Sequence, residues 1–217
     1  MTKAKSLLKK FKLTPKQIKT EVELNLKEKT DAELVSLSLK NPDHFAELVD
    51  RYEKKLFRYV RRLSGLEAES IEDVLQEAFI KIYTNLNDFD PKFNFSSWTY
   101  RITHNETINY LKKNKKQIVL PLETDDKETM NLIDALESET DISSDMVQKE
   151  MGEKVRQGIN LLPEKYREIL VLRYMEDLDY KEISEILRIP MGTVATTINR
   201  AKEKFKKIAF KLHLNQT

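Results

Sequence analysis

The stretch FDPKFNFSSWTYRITHNETINYLKKNKK, residues 89–116, combines aromatic rings with a closing cluster of lysines. Five aromatic residues fall within its first twelve positions, and four lysines lie among its last five. Aromatic rings offer flat faces on which an unstacked base can lie, and lysines neutralise nearby phosphates. This combination is typical of a surface for separated nucleic-acid strands rather than for intact duplex.

An alternative interpretation of the same stretch is an ordinary helix core. Phe95, Trp98 and Ile102 recur at helical spacing, which predicts the buried stripe of an amphipathic helix. The stripe leaves several residues of the stretch without a structural role, namely the aromatic Phe89, Phe93 and Tyr100 and the polar Asn94, Asn105 and Asn109.

The composition favours long, surface-wetted helices. Of the 217 residues 34% are charged and only four are glycine, which predicts an all-α protein. The net charge of +2 conceals a strong segregation: residues 1–19 carry seven lysines and no acid, whereas residues 121–150 carry ten acids and two lysines. The chain has no cysteine, and its three histidines lie far apart without ligand spacing, so neither a metal site nor a cofactor is expected.

No apolar run approaches the length of a transmembrane helix, and lysines interrupt the apolar residues near the N-terminus. These features predict a cytoplasmic protein without a signal peptide. Residues 1–30 form a lysine-rich extension, of which about the first sixteen residues are interpreted as a frayed tail, with a basic amphipathic contact to membrane or nucleic acid as the alternative.

Three helices are predicted before the aromatic stretch. One opens at Thr30, one carries an apolar stripe from Phe45 to Leu63 and stops at Gly65, and one begins at Ser70 with Asp73 as its capping partner. At 100° per residue, one face of the third helix opposes its apolar stripe and presents Asp73, Gln76, Glu77 and Ile80. An isoleucine on a polar face indicates a partner surface, although a single exposed apolar residue is also ordinary.

The chain changes character beyond Pro121, where the acidic segment has no sustained apolar period and is interpreted as a flexible linker. Helical periodicity returns at about Ser144. A short helix capped by Asp179 and Glu182 and a long basic helix after Pro190 predict a helix-turn-helix. The outward side of the second helix is formed by Gly192, Thr196, Asn199 and Glu203, flanked by Thr193, Ala195, Arg200 and Lys202. This pattern suits DNA base edges and phosphates, and the alternative is a helical hairpin with a solvated basic face.

Three segments together resemble bacterial RNA polymerase sigma factors of the extracytoplasmic-function (ECF) class. These are DVLQEAFIKIY (residues 73–83), FNFSSWTYRITHNETINYLKK (residues 93–113) and the stretch from LPEKYREILVLRYMEDLDYKEIS to RAKEKF (residues 162–205). The resemblance covers residues 31–212. It implies a region 2-like helical bundle (31–118), the acidic flexible linker (119–144) and a region 4-like helix-turn-helix domain (145–212), preceded by the extension.

The resemblance implies roles for the residues found by spacing. The first domain would bind the β′ clamp helices of core RNA polymerase through Asp73, Gln76, Glu77 and Ile80. It would also melt the minus-ten promoter element and capture a flipped base, through Phe89, Asp90, Lys92, Phe93, Asn94, Tyr100, Asn105, Asn109, Lys112, Lys113, Lys115 and Lys116. The second domain would contact the β flap and read the minus-thirty-five element through Gly192, Thr193, Ala195, Thr196, Asn199, Arg200 and Lys202.

Promoter DNA and core polymerase are thus the implied partners, with an anti-sigma protein as a further one, and no catalysis or small-molecule substrate is implied. Two features depart from the class: Ala195, Thr196 and Thr197 stand where a Lys-Ser-Arg-like triplet is common, and the N-terminal extension is longer than usual. A free-standing DNA-binding regulator is the alternative function. A nucleic-acid enzyme is disfavoured, because acids in a flexible linker cannot hold a metal in fixed geometry.

Overall fold

The computed structural model describes residues 26–114, 155 and 157–211. Within those residues every regular element is a helix, which confirms the predicted all-α class. By its contacts the chain divides into two compact units, residues 1–58 with 67–115 and residues 59–66 with 116–217. The predicted linker and the first 25 residues of the predicted extension lie outside the described residues, so the predicted domain boundaries stay predictions.

The first unit contains helices α1, α3 and α4 and most of α2, whose residues 59–64 belong to the second unit, together with three single turns of 3-10 helix. The helices are α1 (Asp31–Lys40), α2 (Phe45–Ser64), α3 (Ala68–Thr84) and α4 (Phe95–Lys113), and the turns are Leu26–Glu28, Pro42–His44 and Leu86–Asp88. The apolar stripe predicted for α2 is confirmed, since each member is at most 5% exposed: Phe45, Leu48, Val49, Tyr52, Leu56, Tyr59, Val60 and Leu63.

Local signals set the ends of α1 and α2 as predicted. Thr30 and Glu33 form a capping box, in which the Glu33 N–H donates to the Thr30 hydroxyl and the Thr30 N–H donates to the Glu33 carboxylate. Gly65 follows α2 with a φ of 66°, and its N–H donates to the Arg61 carbonyl at 2.8 Å. A glycine suits this position because the left-handed conformation is unfavourable for residues with a Cβ.

The predicted start of α3 at Ser70 is wrong. The helix begins at Ala68, and its N-cap Glu67 makes no side-chain capping bond. The Ser70 hydroxyl instead accepts a hydrogen bond from the Tyr110 hydroxyl of α4 at 3.0 Å. A tertiary partner therefore takes the side chain that would otherwise have capped the helix.

The second unit contains a helix-turn-helix. Its helices are α5 (Glu164–Leu170), which continues into a π-helical turn (Val171–Met175), α6 (Tyr180–Leu187) and α7 (Met191–Lys211). The predicted capping box of Asp179 and Glu182 opens α6, and Arg188 ends it with a left-handed φ of 54°. Between α6 and α7 the Ser184 hydroxyl donates to the Ile189 carbonyl at 2.6 Å, which fixes the turn.

Helix α7 packs against both α5 and α6. Val194, Ile198, Ala201 and Phe205 are buried, as the spacing predicts. Gly158, in the helical residues 157–160, lies so close to Phe205 that an added Cβ would come within 2.9 Å of its ring. The close approach of these two segments therefore depends on glycine at that position.

Candidate protein-binding and DNA-binding surfaces

The polar face of α3 carries the four residues predicted to bind polymerase. Asp73 and Glu77 are exposed, and Gln76 and Ile80 are partly exposed. The opposite side of the helix is buried through Ile71, Leu75, Ala78, Phe79 and Ile82. This arrangement leaves the four side chains accessible to a partner, and their contact with polymerase stays a prediction.

A groove of about 310 Å³ runs between α3 and α4 beside this face. Its α3 wall includes Asp73, Gln76 and Glu77, and its α4 wall includes Asn109 and Lys113. Residues predicted to bind protein and residues predicted to bind DNA thus line a single groove. The one-dimensional spacing within each helix did not predict this juxtaposition.

The prediction that Phe89 and Tyr100 offer ring faces to a base is wrong for this structure. Phe89 is 8% exposed and Tyr100 is 4% exposed. The ring of Phe89 lies 5.2 Å from that of Phe95 and 5.5 Å from that of Trp98. The physical reason is that the first turns of α4 are covered on more than one side, since Phe95, Ser97, Trp98, Thr99 and Tyr100 are all buried.

Phe93 is the aromatic residue of this region that faces solvent, with 54% of its surface exposed. It lies in the loop of residues 90–94, which is shaped by Asp90: the Asp90 side chain accepts from the Lys92 N–H and its carbonyl accepts from the Phe93 N–H, each at 3.0 Å. Asn94, the N-cap of α4, is exposed and makes no side-chain capping bond. The loop therefore presents one ring and one amide outward.

The exposed side of α4 continues this surface. Asn105, Asn109, Lys112 and Lys113 are exposed, and three of them, Asn105, Asn109 and Lys112, line a second groove of about 480 Å³ with residues of α3. Lys115 and Lys116 lie outside the described residues. A row of amides ending in lysines can hydrogen-bond bases and neutralise phosphates.

Sequence reasoning missed two residues of the second groove, Lys81 of α3 and Asn85, the C-cap of that helix. The Lys81 ammonium forms an ion pair with the Glu106 carboxylate of α4 at 2.7 Å. The ion pair links α3 to the surface of α4, where the glutamate offsets one positive charge. The position of Lys81 next to Ile80 could have suggested that it borders the predicted partner surface of α3. Its pairing with Glu106 of α4 is a tertiary contact, which spacing within one helix does not show.

His104 lies on the same groove and is 9% exposed. Burial lowers the pKa of His104 from 6.5 to about 4. The imidazole is therefore neutral at physiological pH and adds no positive charge to this surface.

The outward face of α7 is arranged as its spacing predicts. Gly192, Thr193, Thr196, Asn199 and Arg200 are exposed, and Ala195 and Lys202 are partly exposed. The Thr196 hydroxyl donates to the Gly192 carbonyl at 3.0 Å, within its own helix. A Cβ at Gly192 would meet nothing within 4 Å, so the backbone geometry does not require glycine there.

A cluster of cations and rings beside α7 was not predicted. The Arg173 guanidinium lies 5.8 Å from the centre of the Tyr174 ring and 5.9 Å from that of Tyr180, and the Lys202 ammonium lies 5.9 Å from that of Tyr174. Cations at these distances are attracted by the ring faces. The contacts join the π-helical turn to both helices of the helix-turn-helix, so they depend on tertiary structure.

Within the described ranges, no group of three or more histidine, aspartate or glutamate side chains is placed to hold a metal ion. Over the same residues, no helix combines the length and apolar character that crossing a membrane requires.

A helical unit followed by a helix-turn-helix unit is an arrangement typical of DNA-binding transcription proteins. Comparisons with known proteins specify the class further. Residues 48–117 match the family model for Sigma-70 region 2, and residues 152–205 match that for Sigma-70, region 4. The chain is 39% identical over 166 residues to the ECF RNA polymerase sigma factor SigW of Bacillus subtilis (strain 168), covering 76% of this chain and 88% of SigW.

Two solved structures share the fold. The complex of CnrH with the cytosolic domain of CnrY matches with a TM-score of 0.60 and 21% identity, covering 83% of this chain and 97% of that one. The sigma factor RpoE of Bartonella quintana, crystallised with the anti-sigma factor NepR, matches with a TM-score of 0.55 and 16% identity, covering 76% and 95%. The chain belongs to the ECF class of RNA polymerase sigma factors.

Proposed function

We propose that this ECF sigma factor binds core RNA polymerase through α3, captures an extruded base of the minus-ten element at the 90–94 loop, and reads the minus-thirty-five element with α7. The family itself establishes a role in promoter-directed transcription initiation with RNA polymerase, as a factor rather than an enzyme. What the proposal adds is the assignment of each step to particular residues.

The observation that carries the proposal is the exposed ring of Phe93 beside an amide and lysine surface. Promoter opening needs a base held out of the stack, and extrusion costs a few kcal/mol that ring stacking and edge hydrogen bonds can offset. Phe93, at 54% exposure, can stack on such a base, and Asn94 can hydrogen-bond its edge. Phe89 and Tyr100, given this role by resemblance, act in the proposal as core residues beneath the loop.

In this proposal, the DNA strand that carries the extruded base lies along the exposed side of α4. Asn105 and Asn109 are exposed in line with Lys112 and Lys113, and the lysines neutralise neighbouring phosphates. The groove shared with Asp73, Gln76 and Glu77 supports a polymerase contact immediately beside the DNA contact. Polymerase binding and strand capture would then use adjoining walls of the same two helices.

The upstream element is read by α7 in this proposal. Because the Thr196 hydroxyl donates within the helix, the exposed Asn199 and Arg200 are the principal donors to DNA. Ala195 and Thr197 supply no positive charge where the class commonly has one. Each missing phosphate contact weakens binding and reduces its salt dependence, so we infer a modest contribution from the upstream element.

Further partners follow from the same proposal. The second unit would dock on the β flap of polymerase while α7 lies on DNA. An anti-sigma protein is a third partner class, as in the Bartonella quintana complex. Action with bacterial RNA polymerase places the protein in the cytoplasm.

Transcription in vitro tests the proposal. Core polymerase from the native host is incubated with fragments of its genome, with and without the full chain, and transcript starts are mapped. We expect a defined set of starts that needs the chain. A core enzyme that initiates equally without it would refute the proposal, and promoter binding by the chain in the absence of polymerase would favour a free-standing regulator.

A further inference from the structure

A hydrogen-bonded node ties the start of α1 to two adjacent residues of α2. The Asp31 carboxylate accepts from the Arg51 guanidinium at 3.0 Å and from the Tyr52 hydroxyl at 2.5 Å. Tyr52 donates its single hydroxyl proton to Asp31, which anchors the end of this side chain to the start of α1.

The same guanidinium holds the chain just before α1. Arg51 donates to the carbonyls of Leu26 and Lys27 at 2.7 and 3.0 Å. The ordered first unit therefore begins at least as early as residue 26, inside the segment predicted to be an extension. Charged hydrogen bonds of this kind are among the stronger ones in proteins.

The ring of Tyr52 supports the two ends of the 90–94 loop. Its centre lies 5.6 Å from that of Phe95, which follows the loop, in an edge-to-face arrangement. Phe95 in turn lies 5.2 Å from Phe89, which precedes the loop, again edge to face. The loop is thus closed at its base by a ring pair, and Tyr52 orients that pair relative to α2.

The loop itself has few attachments. Asp90 accepts hydrogen bonds from the Lys92 and Phe93 N–H groups within the loop, and the Asn94 carbonyl at its end accepts one from the Trp98 N–H of α4. The position of Phe93 therefore depends on where Phe89 and Phe95 are held. The rigidity of that base decides how well the loop is preorganised for a ligand.

We infer that Asp31 and Tyr52 are positioning residues for the 90–94 loop: Asp31 anchors the Tyr52 hydroxyl, and the Tyr52 ring packs on the Phe95–Phe89 ring pair at the base of the loop. The inference rests on the proposed function, in which that loop captures the extruded base. It deepens that function by assigning a role in base capture to residues of α1 and α2, which are remote in sequence from the proposed DNA contacts.

The test measures loop mobility directly. The chain has no cysteine, so Lys92→Cys carries a single nitroxide spin label in the loop. Tyr52→Phe removes only the hydroxyl and keeps the ring, and Asp31→Asn weakens the acceptor. Tyr110→Phe is the matched control, because it removes an interhelical hydroxyl bond at the far end of α4, to Ser70.

We expect Tyr52→Phe and Asp31→Asn to make the label more mobile, at temperatures where circular dichroism shows every variant folded. Tyr110→Phe should leave the label unchanged. The effect of the double variant should be smaller than the sum of the two single effects, because both substitutions act on the same Tyr52–Asp31 hydrogen bond. A label equally immobile in Tyr52→Phe, or equally mobilised by Tyr110→Phe, would overturn the inference.

A second experiment measures promoter opening and uses variants that retain Lys92. With core polymerase and a promoter mapped as above, permanganate reactivity of unpaired thymines should fall about tenfold in Tyr52→Phe, as expected for the loss of a hydrogen bond to a charged group. Binding of core polymerase should be unchanged. If the label is mobilised but opening is not reduced, the loop does not read the promoter. That result would overturn the proposed base capture and the role given to the node in it.

Discussion

Alanine substitutions of Phe93 and Phe89, four residues apart, distinguish a ring proposed to contact DNA from a ring that belongs to the core. Phe93→Ala removes a ring that is 54% exposed, and Phe89→Ala removes one that is 8% exposed and packed on Phe95 and Trp98. Stacking on a base contributes about 1–3 kcal/mol, so Phe93→Ala should reduce promoter opening by about 5- to 150-fold. Its effect on the free energy of unfolding should be about 1 kcal/mol or less.

Phe89→Ala should behave in the opposite way. Loss of a buried phenylalanine costs about 3–5 kcal/mol of unfolding free energy, and the cavity would lie directly beneath the loop. Urea unfolding followed by the fluorescence of the single tryptophan, Trp98, measures this cost next to the altered ring. Promoter opening is measured as permanganate reactivity of unpaired thymines, with polymerase and variant at saturating concentration.

Two results would refute the reasoning. One is normal opening by Phe93→Ala, which would remove the ring from the DNA contact. The other is a loss of stability in Phe93→Ala as large as that in Phe89→Ala, which would mean that both rings belong to the core. Phe93→Leu is a further variant of the same test. Leucine keeps the apolar bulk but has no flat face for stacking, so this variant should still impair promoter opening.

Three further predictions follow from the other surfaces. Ile80→Asp on α3 should abolish co-elution with core polymerase while leaving the helical circular dichroism unchanged, and normal co-elution would mean that the partner face lies elsewhere. Because burial lowers the pKa of His104 from 6.5 to about 4, the unfolded chain binds that proton more readily, so stability present above pH 6.5 should be lost as the pH falls towards 4. His104→Gln should reduce the difference between urea midpoints at pH 7 and pH 5, and an unchanged difference would exclude His104 as its source. Arg200→Ala should weaken binding of the holoenzyme to duplex DNA that carries the upstream element. Measured by fluorescence anisotropy, the slope of log affinity against log salt concentration should become shallower by about 1. An unchanged slope would mean that Arg200 does not contact a phosphate.

Several features of the fold were predictable because they arise from neighbours in the chain. The capping boxes at Thr30 and Asp179 involve residues three apart, and the left-handed Gly65 ends its own helix. Helical periodicity predicted the buried stripe of α2 and the exposed face of α7. Such signals survive in a single sequence because the interacting groups are brought together by one turn of helix.

The sequence by itself determined the helical class, the order of the two units and the residue types available for DNA and protein contact. Only the tertiary structure decided which of the aromatic rings are available. Periodicity identifies the apolar side of a helix, but it does not show how many sides of that helix are covered by neighbouring elements. The start of α4 is covered on several sides. Phe89 and Tyr100 are therefore buried, whereas Phe93 is exposed. The Lys81–Glu106 ion pair and the node at Asp31 likewise join residues twenty or more positions apart, so no local pattern could have predicted them.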